Sequence, residues 1–270
     1  MVYPLVGAIV AALVWAGFFH EGEPDLGTLI HGADILAKVG AHDKAILECE
    51  KVLERDPGNL QAHLIFAWSL DQLGHDAESL DHYRISLDLA GEQDLADLAL
   101  DIRLTMADLH RRYGRFEEAV QACSRIEKEF GSSSRLNLVR GLALEELGRV
   151  DEALELYRDA VVQGPDETLP RLCLGMACRK AGLLEEAQQS FLALAERGAA
   201  GPTPWFHLAS LRAESGDREG MFDALAEAAS RNRAFTHKSV LEDEAFGPYL
   251  QEETFQEFLV ELDGESPRSL

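Results

Sequence analysis

Arg111-Arg112 and Arg179-Lys180 are the residues whose types most plainly invite chemistry: two basic pairs in a 270-residue chain with 48 acidic against 25 basic residues and a net charge of −23. A guanidinium presents a fixed fork of donors that matches a carboxylate, so such pairs suit the orientation of an acidic protein segment. Arginine close to the end of a helix is also favoured by the helix dipole, which gives the same residues a purely structural use. Glu145, Glu146 and Glu214 mark the opposite polarity. The overall charge repels nucleic acid and anionic lipid headgroups, and no concentrated basic patch offsets it, so nucleic acid is excluded as a partner.

Other reactive residue types are dispersed. Cys49, Cys123, Cys173 and Cys178 form no Cys-x-x-Cys pair, which argues against a zinc ribbon or a redox dithiol and for packed thiols. His31, His63 and His207 are separated along the chain and are explained by packing or solvation rather than metal binding. There is no phosphate loop, no His-Glu-x-x-His and no Gly-x-Ser-x-Gly. No enzymatic activity, cofactor or metal is expected.

The elements that must position the basic pairs show themselves in a cadence of glycines. Gly40, Gly74, Gly114, Gly148, Gly182 and Gly216 are spaced by 34, 40, 34, 34 and 34 residues. A fixed period of this size marks units that bury their apolar faces against their neighbours. Aligned on the glycines, the units are 26–59, 60–93, 100–133, 134–167, 168–201 and 202–235. In each, an amphipathic helix runs into the glycine, whose left-handed conformation ends it without steric cost, and a second helix starts two or three residues later.

The eighth residue of every unit is small: Ala33, Ala67, Ala107, Gly141, Gly175 and Ala209. The fifth residue beyond the turn is Ala45, Ser79, Ala119, Ala153, Ala187 or Met221, and four further on come Cys49, Tyr83, Cys123, Tyr157, Phe191 and Leu225. Small residues at two points let the helices of a unit cross closely, and the third position fills the space beside them. Six extra residues fall within 91–99, where Leu95, Leu98 and Leu100 keep helical spacing, so the insertion is expected to lengthen the helices or their join. A partner contact at this insertion is the alternative to simple length variation.

Segments 151–165 (DEALELYRDAVVQGP), 185–198 (EEAQQSFLALAERG) and 175–182 (GMACRKAG) resemble the tetratricopeptide repeat, and the resemblance extends over about three quarters of the chain. Only Trp205 matches the family's aromatic at the fourth position; Leu29, His63, Arg103, Asn137 and Arg171 stand there elsewhere. The resemblance implies an all-α, right-handed superhelical solenoid of antiparallel helix pairs whose inner groove is lined by first-helix positions 5, 9, 12 and 13. Position 5 is then an apolar stripe of Ile30, Leu64, Leu104, Leu138, Leu172 and Phe206; position 9 adds Trp68, Leu142 and Met176; Arg111, Arg112, Arg179 and Lys180 stand at the rim. Such a groove suits an amphipathic helix or an extended apolar peptide. It lacks the Lys and Asn clamp of chaperone-binding members.

Ahead of the repeats, residues 2–19 carry no charge and, as a helix, reach about 27 Å, enough for a bilayer core. With no basic residue before this stretch and bulky Phe18-Phe19 at its end, a single transmembrane anchor (1–20) is expected rather than a cleaved signal. The α-amino group as the only positive charge at the first end favours the repeats on the extracytoplasmic side of a bacterial inner membrane. After Phe235 the cadence stops, and 236–262 supplies apolar residues for one or two capping helices broken near Pro248, followed by a tail at 263–270. The expected function is a membrane-tethered protein–protein interaction scaffold that recruits or assembles proteins of a membrane or envelope complex. A permanent structural subunit and a secreted scaffold are the alternatives.

Overall fold

The computed structural model describes residues 24–198 and 201–263; the expected anchor and all but the first residue of the expected tail lie outside them. Fourteen α-helices and one 3₁₀ turn make up these residues, and they form two compact units that divide between Phe130 and Gly131. The first unit holds α1 (Leu26–Lys38), α2 (His42–Arg55), α3 (Leu60–Gln72), α4 (Asp76–Glu92), α5 (Ala96–Arg112) and α6 (Phe116–Phe130). The second holds α7 (Ser134–Glu146), α8 (Val150–Gln163), α9 (Thr168–Lys180), α10 (Leu184–Arg197), α11 (Thr203–Ser215) and α12 (Arg218–Arg231). It closes with α13 (Arg233–Glu242), a 3₁₀ turn (Glu244–Tyr249) and α14 (Glu253–Asp263). Among the described residues, no helix is long and apolar enough to cross a membrane.

Each unit is built from antiparallel helix pairs. All six cadence glycines have positive φ, from 72° to 81°, and each carries the same backbone pattern. At the first turn the Gly40 N–H donates to Ala37 O (3.0 Å) and the Ala41 N–H to Leu36 O (2.8 Å), satisfying carbonyls that the helix end leaves open. The second helix of a pair therefore starts from a backbone-determined turn and, at Ala41, His75, Arg149 and Leu183, needs no side-chain cap. First helices start from looser joins, and three of them use the side chains of Asp25, Asn59 and Ser133 to accept the exposed N–H of Thr28, Ala62 and Leu136.

The small and bulky register positions are buried in every pair. Where the bulky residue is a fully enclosed ring, the small one is glycine: an added Cβ would lie 2.6 Å from Tyr157 Cε1 at Gly141 and 2.6 Å from Phe191 Cε1 at Gly175. Alanine suffices opposite Cys49, Cys123 and Leu225. The second pair holds both Ala67 and Tyr83, with the tyrosine less completely enclosed.

The extra residues lengthen two helices. α4 and α5 each have 17 residues against 13 to 15 in the other paired helices, so the first helix of the third pair starts at Ala96, ahead of the expected Leu100. Their join copies the intra-pair turn, with the Asp94 N–H on Gly91 O and the Leu95 N–H on Ala90 O, but Asp94 takes the left-handed place at φ 55°. The cap also starts earlier than expected. Asn232 caps α13 through the Phe235 N–H, so Phe235 belongs to the cap rather than to the sixth pair.

Candidate partner-binding faces of the first helices

In the first unit, Ile30 and Leu64 are half-buried in an open cleft of about 500 Å³, lined also by Asn59, Leu60, Gln93 and Leu98. Gln93 and Leu98 come from the lengthened join, so the insertion helps to wall this cleft. Trp68 is 36% exposed and meets the His42 ring edge-on, with centroids 5.4 Å apart. Leu104, expected in the same stripe, is buried. In the second unit Leu142 and Leu172 are half-buried and Met176 is 38% exposed, while Leu138 and Phe206 are buried. The stripe is thus part surface and part core: Ile30, Leu64 and Leu172 keep some exposure, whereas Leu104, Leu138 and Phe206 are buried.

The basic residues have acceptors within the chain. Arg111 donates to Asp108 (2.9 Å), and Arg112 donates to the buried carboxylate of Asp71 (2.8 Å), whose other oxygen accepts from Tyr113 OH (2.8 Å). Burial opposes the charge of Arg112, but the hydrogen bond and attraction of Asp71 outweigh it and raise its pKa. In the second unit Lys180 donates to Glu145 (2.5 Å), which also accepts from Tyr157 OH (2.9 Å). In both units a position-12 carboxylate takes a position-13 cation of the following repeat; the tyrosine hydroxyl beside it comes from the following repeat at Tyr113 and from the same repeat at Tyr157. Asp71 was not evident as a site residue from its type alone; its register, matching that of Glu145, is the signal that reveals it.

Arg179 is engaged more extensively. It donates from Nε and Nη2 to Glu214 (2.9 and 2.6 Å) and from Nη1 and Nη2 to Asp243 (3.0 Å each). Asp243 also accepts from Ser210 Oγ (2.9 Å) and from the Ala245 N–H (3.0 Å). Burial works against the Asp243 carboxylate, yet these donors hold its pKa below the usual aspartate value. The acidic segment that Arg179 orients is therefore one of the chain's own.

His63 and His82 pair Nδ1 to Nδ1 at 2.9 Å, and His63 Nε2 lies 3.0 Å from Pro57 O. A carbonyl only accepts, so His63 donates from Nε2 to Pro57 O. His207 stacks on Phe191, and burial, with Arg179 nearby, pushes its pKa down to about 4. Burial pushes the thiols of Cys49 and Cys178 up to about 12, which leaves them unreactive. Among the described residues, no group of three His, Cys, Asp or Glu could hold a metal ion.

Residues 104–168 match the tetratricopeptide repeat family model. No curated protein matches the sequence. Solved structures share the fold at low identity. PilW, a type IV pilus biogenesis factor, aligns with a TM-score of 0.66 at 16% identity, over 82% of this chain and 100% of its own. A tetratricopeptide repeat protein from Parabacteroides merdae aligns at 0.64 and 14%, over 95% and 91%. Pseudomonas aeruginosa pilF aligns at 0.60 and 16%, over 87% and 97%. The fold is that of tetratricopeptide-repeat proteins, built of paired antiparallel helices.

Proposed function

We propose that the chain is a membrane-tethered scaffold for protein–protein interaction, offering the first-helix faces of its repeats to a helical or extended segment of a membrane-complex partner. The observation that carries this reading is the apolar surface on those faces, with Trp68 in the first unit and Met176 in the second more than a third exposed. Ile30, Leu64, Leu142 and Leu172 lie half-buried on the same faces. Apolar area withdrawn from water is worth about 25 cal/mol per Å², so a partner helix that covers these side chains gains without needing a charge clamp. Leu104, Leu138 and Phe206 support the face from beneath, and Arg111, Arg112, Arg179 and Lys180 shape its edge through their internal partners.

The uncharged stretch 2–19 supplies the tether. A short tether raises the effective concentration of the repeats toward membrane partners, so even a shallow apolar face becomes a useful binder. An assembly role at the bacterial envelope, with the repeats extracytoplasmic, accords with this design; PilW, of the same fold, is itself named a biogenesis factor.

Photo-crosslinking in native membranes tests both parts. A crosslinkable residue at Trp68 or Met176 should form adducts with one or a few membrane-complex proteins, whereas one at Gln188, exposed on the second helix α10, should not. Equal adducts from all three positions, or none from the first two, would overturn the assignment of the faces. Alkaline extraction should leave the full chain with the membranes and release a chain lacking 2–19. Release of the full chain would remove the tether.

A further inference from the structure

The segment after α13 folds back onto a first-helix face. The segment Asp243–Tyr249 meets groove positions of the last two repeats through its hydrogen bonds and its ring contact outside the cap. Asp243 meets Arg179 (position 12 of the fifth repeat) and Ser210 (position 9 of the sixth); Phe246 packs on Phe206 (position 5), with ring centroids 5.9 Å apart; Tyr249 OH donates to the Ala213 carbonyl (position 12) at 3.0 Å. This is the layout of a bound peptide: a carboxylate held by a two-pronged guanidinium and a hydroxyl, and an aromatic ring three residues on in an apolar seat.

We propose that the first-helix face of the last two repeats is a receptor for a short protein segment carrying a carboxylate three residues ahead of an aromatic ring, and that Asp243–Tyr249 is its resident, exchangeable occupant. Three features make the occupant exchangeable. Beyond Asp243 it is the six-residue 3₁₀ turn Glu244–Tyr249 with Pro248 inside it, joined to its neighbours by non-helical residues, and such turns have poorer hydrogen-bond geometry than the α-helices around them. The Arg179–Asp243 pair is approachable: their side chains are 19% and 17% exposed, and an open cleft of about 500 Å³ lined by Glu214, Ser239, Glu242 and Glu244 adjoins them. Arg179 keeps Glu214 and Ser210 keeps the Phe206 carbonyl as acceptors when Asp243 leaves, so opening strands neither donor.

The proposal rests on the reading of the first-helix faces as binding surfaces and gives one of them a ligand. Competition with a resident segment favours the resident unless the partner is itself held nearby, so capture by this face would be confined to partners concentrated at the same membrane.

The test uses the full chain and a capped synthetic peptide of residues 241–251 (LEDEAFGPYLQ). Asp243→Asn keeps a good helix-start cap but weakens the grip of Arg179. The folded Asp243→Asn chain should bind the peptide about ten-fold tighter than the wild type, and adding Arg179→Gln should abolish the gain. A peptide with asparagine for its aspartate, or alanine for its phenylalanine, should lose about ten-fold. A folded Asp243→Asn chain that binds no better than wild type, or that binds the altered peptides equally, would overturn the proposal. Should that variant fail to fold, the wild type decides: millimolar peptide must speed amide exchange at 244–249 while leaving α12 unchanged, and no change would overturn the proposal. Loss of peptide exchange with Trp68 and Met176 crosslinks intact would refute this inference alone; loss of the crosslinks alone would refute the broader reading.

Discussion

At Gly175 the space for a methyl group is already taken by the Phe191 ring, and at Gly141 by Tyr157. Both rings are fully buried and have nowhere to retreat, so Gly175→Ala should cost about 1–3 kcal/mol as overpacking. Phe191→Leu introduced with it should recover most of the loss, because the Ala209–Leu225 pair already uses that combination; urea unfolding of the single and double variants checks this. His207 sets a pH dependence. Its folded pKa, about 4, lies below the ordinary histidine value near 6.5, so the folded chain binds fewer protons between these values and stability falls as pH drops through that window. The full loss amounts to about 2–3 kcal/mol, allowing for the partial exposure of the ring. Of the charged groups near it, Arg179 keeps its charge throughout and Asp243, held low by its donors, titrates below the window. His207→Phe keeps the stack on Phe191 and removes the buried Nδ1 that lacks a partner, so its melting temperature should fall less than that of the wild type between pH 7 and pH 5.

The join between α4 and α5 shows what an element will tolerate. Its turn needs a left-handed residue, and Asp94 adopts φ 55° where the six intra-pair turns use glycine. Asp94→Gly should therefore stabilise the first unit by up to about 1 kcal/mol, less the greater freedom that glycine gives the unfolded chain; Asp94→Val should destabilise it, and thermal unfolding distinguishes the two. The helix pairs and their turns were legible in the chain because their causes are local and repeated: one glycine per turn, and small residues at two fixed offsets. The depth of each groove residue was not. Whether Leu104 is core and Met176 surface depends on side chains from neighbouring helices, which no period reports. For the same reason Ser or Asp at Leu104 or Leu138 would report on folding, and Trp68 and Met176 are the positions that report on binding. The return of the cap onto the last first helices was also hidden, because Asp243 meets Arg179 across 64 residues without a counterpart in the other repeats.

At the scale of the whole molecule, an excess of 23 acidic residues must be held together against its own repulsion. Two kinds of charge interaction compete, and their ranges separate them. Of the latches that join repeats within a unit, Arg158–Glu186 at 2.8 Å and Arg112–Asp71 at 2.8 Å are direct contacts between partly buried groups, and Lys180–Glu145 at 2.5 Å joins an exposed ammonium to a largely buried carboxylate. Repulsion among the surplus carboxylates acts across water over longer distances. The screening length is about 10 Å at 0.1 M salt and about 3 Å at 1 M, so added sodium chloride removes the long-range repulsion well before it weakens contacts shorter than that length. Exposed pairs such as Arg84–Asp81 and Lys38–Asp34 contribute about 0–1 kcal/mol each and lose little when screened. The melting temperature should therefore rise by about 5 °C between 0.02 and 0.5 M sodium chloride at pH 7.5, as followed by circular dichroism. A fall would mean that ion pairs dominate the balance. In that case Lys180→Met, which removes one latch while leaving Glu145 its tyrosine, should flatten the salt dependence; if repulsion dominates, the same change adds to the negative excess and should steepen the rise.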